Sequence, residues 1–135
     1  MSTALTIQKV LLVAVGGALG SVLRYTLSGW IQDRMINAFP NWTLFPTGTL
    51  VINITGCFVA GLLGSLLIRE EYRVAVMVGI LGGYTTFSAF GRETFMLANG
   101  NQLWFAALNI LLSNTLGLVA VWLGYRVAQR WLGVS

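Results

Sequence analysis

Four apolar stretches alternate with three short polar ones along the chain. The apolar stretches run over residues about 10–31, 47–68, 74–98 and 103–127. Each holds about 22 to 25 residues, which as helix reaches about 33 to 38 Å against a hydrocarbon core about 30 Å thick. The connections are short. "QDRMINAFPNW" with the following "TLFP" carries both prolines and forms the one substantial loop. "REEYR" joins the second and third spans, and "NGNQ" the third and fourth. Trp30, Trp42, Trp104, Trp122 and Trp131 all fall near expected membrane boundaries, as an aromatic belt does. The pattern predicts an all-α integral membrane protein, one domain over residues 1–135 with four transmembrane helices.

Composition agrees. The chain is 56% hydrophobic and 9% charged, where a soluble domain carries roughly 25% charged residues. Too little charge is present to coat a water-facing surface. There is no histidine, one cysteine, and four acids: Asp33, Glu70, Glu71 and Glu93. That set argues against histidine acid–base chemistry and against a zinc site, and no enzyme is expected. Cys57 lies in an apolar run and reads as a packed small residue. No GxxxxGK[ST] run is present to bind ATP. The net charge is +4, but the eight basic residues are scattered or sit at span ends. Without a basic stripe no nucleic-acid partner is expected. Five of the eight (Lys9, Arg69, Arg73, Arg126 and Arg130) fall on the side of both termini, against Arg24, Arg34 and Arg92 on the other. This mild bias puts both termini in the cytoplasm. Lys9 before "VLLVAVGGALG" resembles the start of a secretory signal, but the segment continues through Arg24 and Tyr25 to Trp30 and three more spans follow.

Small residues recur at spacing four: Gly16 and Gly20, Gly79 and Gly83, and Gly56, Ala60 and Gly64. They let helix backbones approach closely. Most of this is packing within the bundle. Four helices of this length do not easily enclose a pore and also pack their own faces, so some faces should meet a second subunit.

Polar side chains inside lipid are costly, and each needs a partner or a task. Asn53 either makes an interhelical hydrogen bond or lines a polar path. Asn109 and Ser113 share a face of the fourth helix, flanked by Asn114 and Thr115. The stretch "GGYTTFSAFGRE" at 82–93 lies near the middle of the third span. Glycine entropy and β-branching lower its helix propensity, and a break is expected there. Non-helical backbone at such depth survives only where protein buries it or it lines a cavity, and broken helices are where membrane proteins build ion sites. The alternative is a continuous helix whose Thr and Ser bond back to the preceding turn. Phe87 and Phe90 share a helical face. They either pack or present positive ring edges to a small anion; a lysine there would hold the anion too tightly for conduction. Arg24 either snorkels to the headgroups or concentrates anions at a pore mouth. Glu93 is the only acid inside a span and so the only candidate for proton coupling.

These residues resemble the Fluc-type (CrcB) fluoride channels over nearly the whole length. The resemblance is carried by "GGALGSVLRY" at 16–25, "GTLVINITGCFVAG" at 48–61 and, most specifically, "GILGGYTTFSAFGRE" at 79–93, with a looser fit in "LNILLSNTLGLVAVWLG". It implies an antiparallel, dual-topology homodimer of four-helix subunits in the lipid bilayer, with two fluoride pores and broken third helices crossing at the centre. It implies a buried Na+ held by the backbone carbonyls at Gly82 and Thr85 of both subunits. It assigns Phe87 and Phe90 as the pore phenylalanines, Asn53 as the pore-lining amide, Thr86 and Ser88 as hydroxyls beside the pore, and Arg24 as the basic residue at its vestibule. The chain departs from the family pattern at Ala89, where threonine is usual, at Gly91, where serine is common, and at Asn109, where a tyrosine or another polar group is expected.

The implied mechanism is passive export. Fluoride enters as the neutral acid, dissociates inside, and leaves down its electrochemical gradient, giving fluoride resistance, with a bacterial inner membrane as the expected location. The rival reading is a small proton-coupled exporter of the multidrug-resistance type, which needs an acid deep in the first helix. None is present there.

Overall fold

The computed structural model describes residues 3–66 and 69–133. Every element among them is helical. Helix α1 spans Thr3–Ala38, a 3-10 turn Pro40–Trp42, and α2 Thr47–Leu66. The third span is built in pieces: α3 Glu70–Arg73, a π-helical stretch Val74–Ile80, α4 Leu81–Tyr84 and α5 Phe87–Asn99. Helix α6 spans Leu103–Leu132. Four stretches, Thr6–Ala38, Thr47–Leu66, Glu70–Asn99 and Leu103–Leu132, are long and apolar enough to cross a membrane. The chain is a multi-pass membrane protein. Residues 67 and 68, the expected end of the second span, lie outside the described residues.

Two connections are more helical than expected. The segment from Gln32 to Ala38 belongs to α1 rather than to a loop. Leaving the apolar zone does not end a helix, and Gln, Arg, Met and Ala are good helix formers. The helix stops where Pro40 forces its predecessor out of the α region: Phe39 has φ −134° and ψ 81°. Likewise "REEYR" is already helical from Glu70. Its two acids occupy the first turn, where the helix dipole favours negative charge. Lys9 donates to Glu70 Oε1 at 2.6 Å and ties that turn to α1. In the π-helical stretch the Leu81 amide reaches back to the Val76 carbonyl, a widening the residue pattern did not suggest.

The buried apolar core is small: Phe45, Leu50, Ile52, Leu81, Leu97, Ala106, Ala120 and Ala128. In lipid this is no defect, because an apolar side chain gains little by leaving the tails and helices associate through close packing instead. Two contacts dominate, α1 against the 74–84 stretch and α2 against α6. Each needs a residue without a side chain. A Cβ on Gly20 would collide with the Ile80 carbonyl oxygen, and one on Gly124 with the carbonyl of Phe58. At the loop end, Gln32 donates to the Phe45 carbonyl at 3.0 Å and accepts from the Gly48 amide at 3.0 Å. One side chain thereby satisfies a free amide in the first turn of α2. Phe45 itself meets the edge of Trp42 at 5.4 Å.

Candidate functional site

Between α4 and α5 two residues leave the helical region. Thr85 has φ −81° and ψ 155°, and Thr86 φ −150° and ψ 110°. The hydrogen bonds around them are redirected. The Thr85 amide still reaches the Leu81 carbonyl at 2.9 Å. The Thr86 amide turns away from the ladder and donates to Asn53 Oδ1 at 2.8 Å, while Asn53 Nδ2 donates to the Thr86 carbonyl at 3.1 Å. Asn53 therefore pairs with one residue's backbone as a neighbouring strand would. Thr86 Oγ1 accepts from the Ala89 amide at 3.2 Å and caps α5.

That rearrangement strands specific carbonyls. The ladder partner of the Gly82 carbonyl is the Thr86 amide, now held by Asn53. The partner of the Thr85 carbonyl is the Ala89 amide, now held by Thr86 Oγ1. The Gly83 carbonyl has a substitute, Arg24 Nε at 3.0 Å. Gly82 and Thr85 thus face the adjoining groove with acceptor capacity free.

The groove has a volume of about 400 Å³. It is lined by Asn53 and Cys57 of α2, Gly82, Thr85, Thr86, Phe87 and Phe90 of the third span, and Ser113 and Asn114 of α6. The two rings stand 5.4 Å apart and tilted by 47°. Phe87 is 81% exposed, so apart from the neighbouring Phe90 ring little among the described residues covers it. Helices α2 and α6 contribute to its walls, and the groove is open on one side among the described residues.

The residues singled out in the sequence are therefore brought together, with two differences in detail. Arg24 is half-buried and bonded to the Gly83 carbonyl, so its Nε–H serves the interruption and not the headgroups. Ser88 is exposed, 3.3 Å from Thr86 Oγ1, and does not line the groove. Asn53 does both things the sequence allowed: it makes the interhelical bond and it borders the cavity. Glu93 accepts from Thr49 Oγ1 at 2.8 Å, and its Oε2 is buried without a hydrogen-bond partner.

Sequence reasoning missed several members. Tyr84 OH pairs with Thr55 Oγ1 at 2.9 Å, a second bracket between α2 and the interruption. Met77 and Cys57 border the groove, where only packing was expected of the cysteine. Asn109, noted for its helix face, proves 1% exposed and bonded to Thr94 Oγ1 at 2.9 Å. A signal existed: Thr49, Asn53 and Thr55 place a polar group on nearly every turn of α2, the last two opposite "GGYTTFS" and the first opposite Glu93. Among the described residues no group of acids, cysteines or histidines could hold a metal ion. Any cation bound here would rest on neutral oxygen, from backbone carbonyls or from hydroxyl and amide side chains.

Comparison with known proteins fits this geometry. Residues 11–125 match the family described as CrcB-like protein, Camphor Resistance (CrcB). A relative from Solibacter usitatus, named fluoride-specific ion channel FluC, is 42% identical over 91% of this chain and 100% of its own length. A protein of the same name from Rhodospirillum rubrum is 47% identical, covering 85% of this chain and 90% of the relative. An archaeal one from Methanosarcina acetivorans, fluoride-specific ion channel FluC 1, is 41% identical over 85% and 86%. Matched along most of its length by both the family and its individual members, the chain belongs to the CrcB-like family.

Proposed function

We propose that this protein is a fluoride-selective passive channel that lets cytoplasmic fluoride leave down its electrochemical gradient and so confers resistance. The observation that carries the reading is the shared groove: two phenylalanine rings, a backbone interruption and the Asn53 amide in one cavity, in a chain whose relatives are named fluoride-specific channels. Ring edges carry partial positive charge. They favour a small anion without the tight grip of a lysine, and weak successive binding is what conduction requires. Asn53 and Thr86 add polar groups to the groove, and the exposed Ser88 stands beside Thr86 outside it. The half-buried guanidinium of Arg24 adds positive charge near the interruption, though its Nε–H is already engaged.

The reading also takes the working unit to be an antiparallel homodimer, its two copies inserted in opposite orientations with the third spans interrupted at mid-bilayer. The exposed Phe87 and the one-sided groove support a second copy. Na+ fits the same frame. Gly82 and Thr85 would hold it through carbonyls freed from the ladder, and oxygen donors suit a hard cation. Two carbonyls from one chain fall short of the about six oxygens that hard cations take, so both copies would contribute. When bound, the ion supplies a fixed positive charge and a link between subunits. The multidrug-exporter reading gains nothing from the fold, since the only acid of the first span, Asp33, lies near its end and not deep within it, and Glu93 is engaged with Thr49.

Purified protein in liposomes loaded with fluoride, read with a fluoride electrode and with chloride as the comparison anion, tests this. Rapid fluoride release that an uncoupler leaves unchanged, with chloride retained, is expected. Equal release of both anions, or release that collapses with the proton gradient, would reject it.

A further inference from the structure

Asn109 is the most deeply buried polar side chain described, at 1% exposure, and it does not line the groove. Its bonds form a directed chain. Thr94 Oγ1 donates its single hydrogen to the Phe90 carbonyl at 2.7 Å, so it can only accept from Asn109 Nδ2, 2.9 Å away. Asn109 Oδ1 in turn accepts from Ser113 at 3.4 Å. The Thr94–Phe90 bond is local and would follow α5 wherever it moved. The Asn109–Thr94 bond is the one that crosses from α6 to α5. Ser113 and Phe90 at the two ends of the chain both border the groove, while the two middle members do not.

We propose that Asn109 is a positioning residue: acting through Thr94, it fixes the register of α5 against α6 and thereby sets where the Phe90 ring stands in the groove. The direction of the bonds makes this specific. The position needs a donor toward Thr94 and an acceptor toward Ser113 together, which an amide has and leucine has not. An ionised aspartate would lack the donor. The flux arm of the test rests on the fluoride-channel reading; the ring-order arm does not.

The experiment places 4-fluorophenylalanine at position 90, or at Phe45 as a control held by Trp42 and Phe105, and records fluorine NMR in lipid nanodiscs. Fluoride release from liposomes is measured in parallel. Asn109→Leu and Thr94→Val should each broaden or shift the position-90 signal, leave the Phe45 signal in place, and cut flux about tenfold, the scale of one buried hydrogen bond. The double variant should be no worse than either single one, because both break the same link. Thr94→Ser retains the hydroxyl and should restore the wild-type signal. Should Asn109→Leu fail to fold, Thr94→Val, which changes one hydroxyl to a methyl, carries the test. A wild-type position-90 signal in both variants overturns the proposal, whether flux is lost or kept. So does full additivity in the double variant. A wild-type protein without fluoride release would sink the channel reading while the position-90 signal still decides the role of Asn109.

Discussion

Replacing Asn53 with leucine keeps the branched shape at a somewhat larger volume and removes both bonds to Thr86. The Thr86 amide and carbonyl are then left facing the second helix with no protein partner. An unsatisfied buried polar group costs about 1–3 kcal/mol, so the pair would cost about 2–6 kcal/mol if fully dry. Asn53 is only half-buried and borders the groove, so water can replace part of the loss. The lower end, about 2 kcal/mol, is therefore expected, roughly thirtyfold in the population of opened forms. Hydrogen exchange read by mass spectrometry over peptides covering 84–90 is the direct assay. Asn53→Leu should speed exchange there by about that factor while peptides from the far part of the α2–α6 contact, around Gly61 and Gly124, keep their rates. Asn53→Ala should do the same, with a further loss of packing. Unchanged exchange around Thr86 would refute the reasoning, because it would mean that the extended pair holds its shape without the amide.

Phe87→Ile and Phe90→Ile should abolish fluoride release while leaving the elution profile of the purified protein unchanged; wild-type flux in either would take that ring out of the pathway. Gly20→Leu drives a side chain into the Ile80 carbonyl. Its cost should exceed the about 1–3 kcal/mol typical of overpacking, since backbone stands in the way, and be read as lost monodisperse protein on size exclusion. Arg24→Lys keeps the charge but not the Nε–H held by the Gly83 carbonyl, and hydrogen bonds to charged groups contribute about 1.5–3 kcal/mol. Its thermal midpoint in detergent should fall nearly as far as that of Arg24→Met, whereas a purely electrostatic role would leave the lysine variant at wild-type stability.

The four spans were legible because hydropathy over twenty-odd residues is a strong signal that no tertiary contact overrides. Helix ends were not. The α1 helix outruns its apolar stretch to Ala38, because helix propensity and membrane residence are separate properties that coincide only by chance. Within the third span, "GGYTT" signalled weak helix, and Thr85 and Thr86 are where the backbone leaves the helical region. Nothing in "VAVMVGI" announced a π-helical stretch; a single extra residue per turn leaves no mark on composition. Side-chain duty was the least legible. Arg24 near the expected end of an apolar run reads as a snorkelling residue, yet it reaches a carbonyl that the redirected ladder has freed. Asn109 reads as part of an open polar face and is sealed between α5 and α6. Both depend on a neighbour that is distant in sequence, at separations where pattern carries no information.

One interruption supplies two opposite electrostatic ends. The helical run that closes at Tyr84 points its carbonyls at Thr85, and the negative end of a helix dipole lies there. The run that opens at Phe87 points its first amides back, and its positive end lies within the same few residues. The side chains then sort these groups. Asn53 and Thr86 Oγ1 satisfy the Thr86 and Ala89 amides, and Arg24 covers the Gly83 carbonyl. Among the residues lining the groove, Gly82 and Thr85 keep carbonyl acceptor capacity free. A surface of that sign attracts a cation and repels an anion, so fluoride would not be served by these carbonyls. In the proposed channel it would be served by the ring edges of Phe87 and Phe90, which follow directly in the chain. On the proposed channel reading, this proximity accounts for the immediate succession of the interruption and the phenylalanines: moved apart by several turns, the positive helix end would no longer offset the negative one beside the anion's path.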